Sequence, residues 1–145
     1  MNTLLLLAFS VSFTVDGIYK HGTSLMNDAE EIREVISRAY VDGVFRHRDS
    51  VLVKNGFHPS FVLSVRTNDG LLVVTLETWL KRLSLDGKPS SKSFEHKFLQ
   101  VDATGKTAVV KMEIYENGKH KYTDYMGLYC FSEGWRIVNK VFESH

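Results

Sequence analysis

Three side chains in the sequence could act as acids or bases if burial tuned them, namely His58, His96 and Asp124. His58 precedes Pro59, and this restrains its backbone to an extended conformation, which suits a junction between a helix and a strand. A histidine at such a junction could exchange protons near neutral pH, or it could hydrogen-bond the backbone and fix the turn. We favour the second interpretation, because a lone histidine without known geometry is a weak catalytic signal.

His96 alternates with Phe94 and Phe98 along a predicted strand. If that face points inward, His96 could contact a bound molecule, or it could be a hydrogen-bonded residue of the wall. No two histidines or carboxylates have the spacing of metal ligands on one helix or strand. We therefore expect neither a metal ion nor a cofactor.

Asp124 shares a strand face with Met126 and Leu128. A carboxylate buried among such residues would have a raised pKa and could serve as a general base. The alternative is a salt bridge with Lys140, Lys121 or an arginine of a helix. We expect the salt bridge rather than catalysis.

Charge and composition exclude several classes of function. The 145 residues carry a net charge of +1, which is too small for a nucleic-acid partner held by electrostatics. No block of like charges predicts binding to a membrane surface. The sequence has no glycine-rich phosphate loop, and no serine occurs in the context of a nucleophile elbow.

The elements that must position these residues begin with a long helix, capped by Asn27 or Asp28. Apolar or small residues recur at helical spacing on one of its faces: Ile32, Val35, Ile36, Ala39, Tyr40, Gly43 and Val44. A short second helix is predicted from Asp49 to Asn55, and a third roughly from Glu77 to Leu85. These helices need an apolar surface to cover.

The remaining segments predict strands separated by turns that contain glycine. A hairpin is expected around Asn68–Gly70, and it is followed after the third helix by four strands: Ser93–Val101, Lys106–Glu116, His120–Phe131 and Trp135–Phe142. Trp135 shares its phase with Ile137 and should be buried against the long helix. Helices that are segregated from antiparallel strands predict an α+β fold.

The central strands carry large residues on both faces. One face holds Tyr115, Tyr125, Tyr129 and Phe131, and the other holds Met112, Ile114, Met126 and Leu128. The helices of one chain can cover only one of these faces, and an uncovered face of this size is unusual in a monomer. We therefore expect a homodimer formed through the outer face of the sheet.

Residues 1–24 form an apolar segment and lead-in, and residues 25–145 are predicted to form a single domain. The run from Leu4 to Val15 is too short to span a bilayer as a helix, but its length fits the apolar part of a signal peptide. If residues 1–16 act as a signal, the protein is exported to the periplasm or secreted. Otherwise the segment packs on the domain and the protein is cytoplasmic.

Three motifs carry a resemblance to a known family: G-F-H-P-S-F at Gly56–Phe61, Y-T-D-Y-M-G-L at Tyr122–Leu128 and G-W-R-I-V-N-K-V-F at Gly134–Phe142. Together with the order of elements, they resemble the nuclear transport factor 2-like superfamily, in particular its lumazine-binding branch. The resemblance implies a cone, in which a curved antiparallel sheet wraps around helices, with a pocket at the open end and commonly a dimer through the outer sheet face. Members include isomerases, dehydratases and polyketide cyclases. The pairing of His96 with Asp124 would resemble the paired polar groups of the dehydratase members.

The implied pocket would be lined by Tyr40, Phe57, His58, Trp79, His96, Met112, Asp124 and Asn139. This mixture of apolar, aromatic and a few polar groups is typical of a site for a small organic molecule. We therefore expect a small-molecule-binding domain whose pocket suits an aromatic heterocycle. The alternatives are an enzyme that transfers protons, of the isomerase, dehydratase or cyclase type, and a domain with a structural or protein-interaction role.

Overall fold

The computed structural model describes residues 28–145, so the expectations for residues 1–24 and for a cap at Asn27 lie outside the described part of the chain. Helix α1 is α-helical over residues 28–36 and continues as a π-helix over Ser37–Arg46. Helices α2 and α3 cover Ser50–Gly56 and Leu76–Leu83. The strands are β1 (Phe57–Thr67), β2 (Gly70–Thr75), β3 (Phe94–Thr104), β4 (Thr107–Glu116), β5 (Lys119–Phe131) and β6 (Gly134–Ser144).

The six strands form one curved, unclosed sheet in the order β2-β1-β6-β5-β4-β3. All neighbouring strands are antiparallel except β1 and β6, which pair in parallel, so the sheet is mixed rather than wholly antiparallel. The parallel pair joins the first hairpin to the four-stranded meander. Helices packed against this sheet confirm the predicted α+β class.

A side-chain cap marks the start of each of the two short helices. The side chain of Asp49 accepts a hydrogen bond from the Val51 backbone N–H at 2.8 Å at the start of α2. Thr75 accepts from the Thr78 N–H at the start of α3. Helix α3 ends at Leu83 rather than Leu85, because Ser84 adopts a left-handed conformation with φ of 47° that stops the helix.

Helix α1 buries the predicted face against the sheet, with one addition. Ile32, Ile36, Ala39, Tyr40 and Val44 are buried, and so is Val41, which the α-helical spacing did not include. In the π-helical segment each N–H bonds to the fifth preceding carbonyl, so successive residues rotate less about the axis and a wider set faces the sheet. Tyr40 lies in this segment.

The alternation along β5 separates an inner from an outer face of the sheet. Asp124, Met126 and Leu128 are buried on the inner face, whereas Tyr125 and Tyr129 are about half exposed on the outer face. The inner face, α1 and α2 together enclose the core. Trp135 is buried within it, as predicted.

A β-bulge in β6 determines which of its residues reach the core. Leu128 pairs with Ile137 and Gly127 pairs with Asn139, so Val138 is an extra residue in the ladder. An insertion of one residue reverses the alternation that follows it. Trp135 and Ile137 are therefore inward before the bulge, and Lys140 is inward after it.

Candidate functional site

A tyrosine, a carboxylate and a lysine meet on the inner face of the sheet and hydrogen-bond one another. Lys140 Nζ donates to Asp124 Oδ1 at 2.5 Å and to the Tyr40 hydroxyl at 3.0 Å. The Tyr40 hydroxyl donates to Asp124 Oδ2 at 2.9 Å. The three side chains are contributed by α1, β5 and β6, and we call them the inner triad. Each of them is at least 96% buried, because Lys140 retains 4% of its exposure, Tyr40 1% and Asp124 none.

Burial dominates the electrostatics of the inner triad. Desolvation raises the pKa of Tyr40 well above its ordinary value, and the negative charge of Asp124 raises that pKa further. Desolvation also lowers the pKa of Lys140, although the adjacent carboxylate opposes this change. The Tyr40 hydroxyl therefore stays protonated across the physiological pH range. It donates its hydrogen bond to the carboxylate of the ion pair between Asp124 and Lys140.

Aromatic rings surround the ammonium group of Lys140. Its Nζ lies 4.3 Å from the ring centroid of Phe142, 5.0 Å from that of Tyr40 and 6.0 Å from that of Tyr122. Cations at these distances are attracted to the faces of aromatic rings, most strongly where water is excluded. The rings thus stabilise the ion pair while shielding it from solvent.

A second group of rings lies next to Tyr40 and leads to helix α3. The Trp79 ring centroid lies 5.6 Å from those of Phe57 and Phe61 and 6.4 Å from that of Tyr40. Leu76 is the one buried residue of α3, and Trp79, Leu80 and Leu83 are partly buried against the core. Trp79 is the side chain through which α3 contacts the aromatic rings.

Five of the eight predicted lining residues come together in this region. Tyr40 and Asp124 belong to the inner triad, Met112 pairs with Asp124 across the ladder, and Phe57 and Trp79 pack beside Tyr40. Of these five, only Trp79 retains appreciable exposure. The arrangement gathers aromatic surface around a small polar centre.

The other three predicted residues lie elsewhere. His58 stacks on Phe131 with ring centroids 4.7 Å apart, and its Nδ1 accepts a hydrogen bond from the Ser60 N–H, which is the turn-fixing role. Asn139 is exposed, and its side-chain oxygen accepts from the Gly127 N–H at 3.0 Å, where it stabilises the β-bulge.

His96 is partly buried at the edge of the same inner face. Its Nε2 lies 3.1 Å from the Ser37 hydroxyl oxygen, and its ring meets Phe98 edge to face. Desolvation and the nearby positive charge of Arg46 lower the pKa of His96, while Asp42 acts in the opposite direction. Its contacts are with Ser37 and Phe98, so His96 and Asp124 do not form a directly hydrogen-bonded pair.

Two cavities lie away from the inner triad. One of about 370 Å³ is bounded by α1, α2 and the β5–β6 hairpin, and the other, of about 270 Å³, lies between the end of β1 and the end of β6. None of the eight predicted residues lines either cavity. Phe142, which contacts the Lys140 ammonium, lines the smaller one.

Two kinds of feature, a metal site and a membrane-spanning helix, are absent from residues 28–145. In this part of the chain, no group of three or more histidine, cysteine, aspartate or glutamate side chains is arranged to hold a metal ion. The helices of the same residues are all too short or too polar to cross a membrane.

Sequence reasoning named Lys140 only as one of several partners for Asp124, and it missed Tyr122 and Phe142. Strict alternation from Trp135 places Lys140 on the outer face, and only the bulge brings it inside. The available signal was a lysine followed by Val141 and Phe142 in a strand whose partner contains Gly127, since a glycine within a strand often marks a bulge.

Comparisons with known proteins agree with this architecture. The family described as "Putative lumazine-binding" matches residues 27–143. None of the curated proteins matches the chain.

Solved structures of NTF2-like proteins of unknown function are similar to the chain. One from Shewanella baltica OS155 has a TM-score of 0.70 at 19% identity and covers 83% of this chain and 95% of its own. One from Silicibacter pomeroyi DSS-3 has a TM-score of 0.66 at 17% identity, with coverage of 86% and 98%. One from Methylobacillus flagellatus KT has a TM-score of 0.63 at 22% identity, with coverage of 95% and 99%. At these identities the likeness shows the fold alone.

Proposed function

The chain belongs to the putative lumazine-binding family of the NTF2-like superfamily, and from this premise we propose that it binds a small aromatic heterocycle on the inner face of its sheet. The proposed contacts are Tyr40, Phe57, Trp79, Met112 and Asp124, with Lys140 added by the structure. The heterocycle would stack among the rings and hydrogen-bond the inner triad. The further candidates His58, His96 and Asn139 stay predictions.

One observation carries this proposal, namely the burial of the ion pair between Asp124 and Lys140 beneath an aromatic cluster. Replacing a buried ion pair with apolar side chains of similar volume is often neutral or stabilising, so a purely structural core gains little from keeping one. A binding site does gain, because a few fixed polar groups orient a mostly apolar guest. A lumazine ring offers both an aromatic face and polar ring edges.

Helix α3 provides a means of access to the cluster. It is eight residues long, it directly follows β2, and Leu76 is its one buried residue. Elements with few buried apolar side chains open at low free-energy cost. We propose that α3 moves outward to admit the heterocycle, which then takes over the contacts of Trp79 with Tyr40 and Phe57.

We favour binding over proton transfer because both oxygens of Asp124 already accept hydrogen bonds, one from Lys140 and one from Tyr40. A general base needs an oxygen directed at the substrate proton. The inner triad instead presents a fixed set of dipoles and charges. It is suited to recognition without a change of protonation.

The test is a fluorescence titration with lumazine in a Trp135→Phe background, where Trp79 is the remaining tryptophan of the two in the sequence. We expect a saturable change of Trp79 emission, because the heterocycle would alter its stacking. Tyr129→Phe, on the outer face, is the matched control and should leave the titration unchanged. If lumazine and flavin both leave Trp79 emission unchanged at millimolar concentration, the proposed class of guest is wrong.

The outer face of the sheet supports a second part of the proposal, a homodimer. Leu99, Val109, Tyr125, Tyr129 and Val141 are all more than 40% exposed. Tyr125 lies beside Val141 in the ladder, so two of these side chains are contiguous. A second copy of the chain would cover this apolar surface, whereas a monomer would leave it in water.

A further inference from the structure

The larger cavity is an open cleft at the hairpin end of the inner face. It lies about 16 Å along β6 from Lys140, since Trp135 and Lys140 are five positions apart and a strand rises about 3.3 Å per residue. Its volume of about 370 Å³ is at the lower end of the range for small-molecule sites. Its floor is apolar and consists of Val35, Ala39, Leu52, Gly56 and Trp135. We call it the Trp135 cleft.

Close packing of two helices builds this floor. A Cβ atom added at Gly56 would lie 2.2 Å from the Cβ of Ala39, so only glycine allows the end of α2 to approach α1 so closely. Trp135 closes the floor from the sheet side. The close approach of α1 and α2 and the buried side chain of Trp135 thus fix the shape of the floor.

Trp135, which lines the cleft, has an indole N–H that makes no hydrogen bond within the described residues. The residue is 98% buried, since 2% of its surface is exposed, and within residues 28–145 its indole Nε1 has no partner. Buried donors in native proteins are nearly always paired, and an unpaired one needs an explanation. An acceptor atom supplied by a bound molecule would satisfy this donor.

The rim of the Trp135 cleft carries both signs of charge: Glu31, Glu34 and Arg38 on α1, and Glu133 and Arg136 on the hairpin. Within the described part of the chain, neither Arg136 nor Glu31 forms a hydrogen bond or ion pair, and Arg38 pairs with Glu34 only at 3.4 Å on the surface. A simple anion would meet three carboxylates, and a simple cation would meet two guanidinium groups. A molecule that carries both a positive and a negative group would find an oppositely charged side chain for each of them.

We infer that the Trp135 cleft is a second binding site, separate from the inner triad, for a small zwitterion with an apolar side chain, such as an amino acid or a dipeptide. Its carboxylate or carbonyl oxygen accepts from the Trp135 indole N–H and faces Arg136. Its ammonium group faces Glu31 and Glu34. Its apolar side chain lies on the floor formed by Val35 and Leu52.

The test follows the indole N–H resonances of the full chain by NMR during titration with the dipeptide phenylalanyl-leucine. The sequence has two tryptophans, so the Trp79→Phe variant assigns both resonances. We expect the Trp135 indole resonance to move downfield and saturate, because its N–H gains an acceptor, while the Trp79 resonance stays in place. A Trp135 resonance that does not move at millimolar dipeptide would overturn the inference.

Variants separate the contributions to this site. Trp135→Phe keeps an apolar ring and removes the indole N–H donor, so it should weaken dipeptide binding at least tenfold. Arg136→Gln removes the positive charge that faces the carboxylate and should weaken binding by at least the same factor. Calorimetry measures both affinities. Arg33→Gln, exposed on α1 but outside the cleft, is the matched control and should bind like the parent. The dipeptide with acetylated and amidated ends should bind at least tenfold more weakly, and equal binding would refute the zwitterion.

Failure of this inference is distinguishable from failure of the proposed function. Lumazine should perturb Trp79, and the dipeptide should perturb Trp135. If the dipeptide moves only the Trp79 resonance, the Trp135 cleft is not its site and the inference is refuted, whereas the interior site would then bind guests of a different class.

Discussion

Each face of strand β5 departs in one respect from the usual distribution of polar and apolar side chains. On the inner face, Asp124 is completely buried and paired with Lys140. On the outer face, Tyr125 and Tyr129 are exposed to 46% and 49%. Buried polar groups and exposed apolar surfaces are the departures from the ordinary pattern that indicate function. We propose that the inner face recognises a guest and that the outer face contacts a second copy.

The two faces should also contribute to different free energies, the inner face to the free energy of folding and the outer face to that of association. Each group of the inner triad has partners, so removing one leaves another charge or donor buried without compensation. The outer side chains have few partners within one chain, so changing them should alter association rather than folding. Substitutions on the two faces should therefore have effects of different size and kind.

The largest effect is expected for Lys140→Met, which keeps the length of the side chain and removes its charge. Asp124 would then be a buried carboxylate held only by Tyr40, and breaking such a pair costs about 3–5 kcal/mol of stability. Denaturant unfolding measures this change. Lys119→Met, exposed on β5, is the control and should stay within about 0.5 kcal/mol of the parent. Equal midpoints for the two variants would show that the ion pair is not enclosed as described.

A smaller loss is expected for Tyr40→Phe, which leaves the ion pair in place but removes the hydroxyl that donates to Asp124 and accepts from Lys140. A hydrogen bond to a charged group contributes about 1.5–3 kcal/mol. The raised pKa of Tyr40 gives a second measurement. Ultraviolet titration of the six tyrosines should show one that ionises only well above pH 10, with unfolding, and this late step should be absent in Tyr40→Phe. A variant that retains the late step would place Tyr40 outside the inner triad.

On the outer face, Tyr125→Glu should dissociate the proposed dimer, because each interface would then contain two buried, unpaired carboxylates. Sedimentation should show the parent as a dimer at micromolar concentration and the variant as a monomer. The free energy of unfolding, compared at equal association state, should change little. A monomeric parent at that concentration would refute the homodimer.

The smallest effect concerns His96, whose folded-state pKa lies below its ordinary value of 6.5 because of desolvation and Arg46. The unfolded chain then binds more protons as the pH falls below about 6.5, so stability decreases in that range. The unfolding free energy measured between pH 7 and pH 5 should fall less steeply in His96→Gln than in the parent. An identical slope would show that His96 does not contribute to the acid sensitivity.

The sequence predicted much of the fold because its signals were local. Alternation in β5 placed Asp124 with Met126 and Leu128, and glycine-containing turns separated the strands. The gathering of Tyr40, Trp79 and Asp124 was expected from the family resemblance. The other features depend on residues close in sequence and on one repeating period.

The remaining features depend on backbone irregularities and on tertiary packing, which the periodicity of the sequence does not reveal. The bulge at Val138 brings Lys140 into the core, and the π-helical segment turns Val41 inward. The Trp135 cleft arises where α1, α2 and the hairpin meet, and no local pattern marks it. His58 was a site candidate because of its position before Pro59, and its contacts with Phe131 and Ser60 follow the turn-fixing interpretation that we favoured.

The central claim is that the inner triad exists to recognise a guest rather than to hold the core together. Calorimetric titration of lumazine into the triple variant Tyr40→Phe/Asp124→Leu/Lys140→Met tests it most directly, because this all-apolar replacement should fold with unchanged or higher stability. The account predicts saturable binding to the parent and loss of at least tenfold in affinity in the triple variant. Equal affinity in the two proteins, or no heat of binding in the parent, would contradict it.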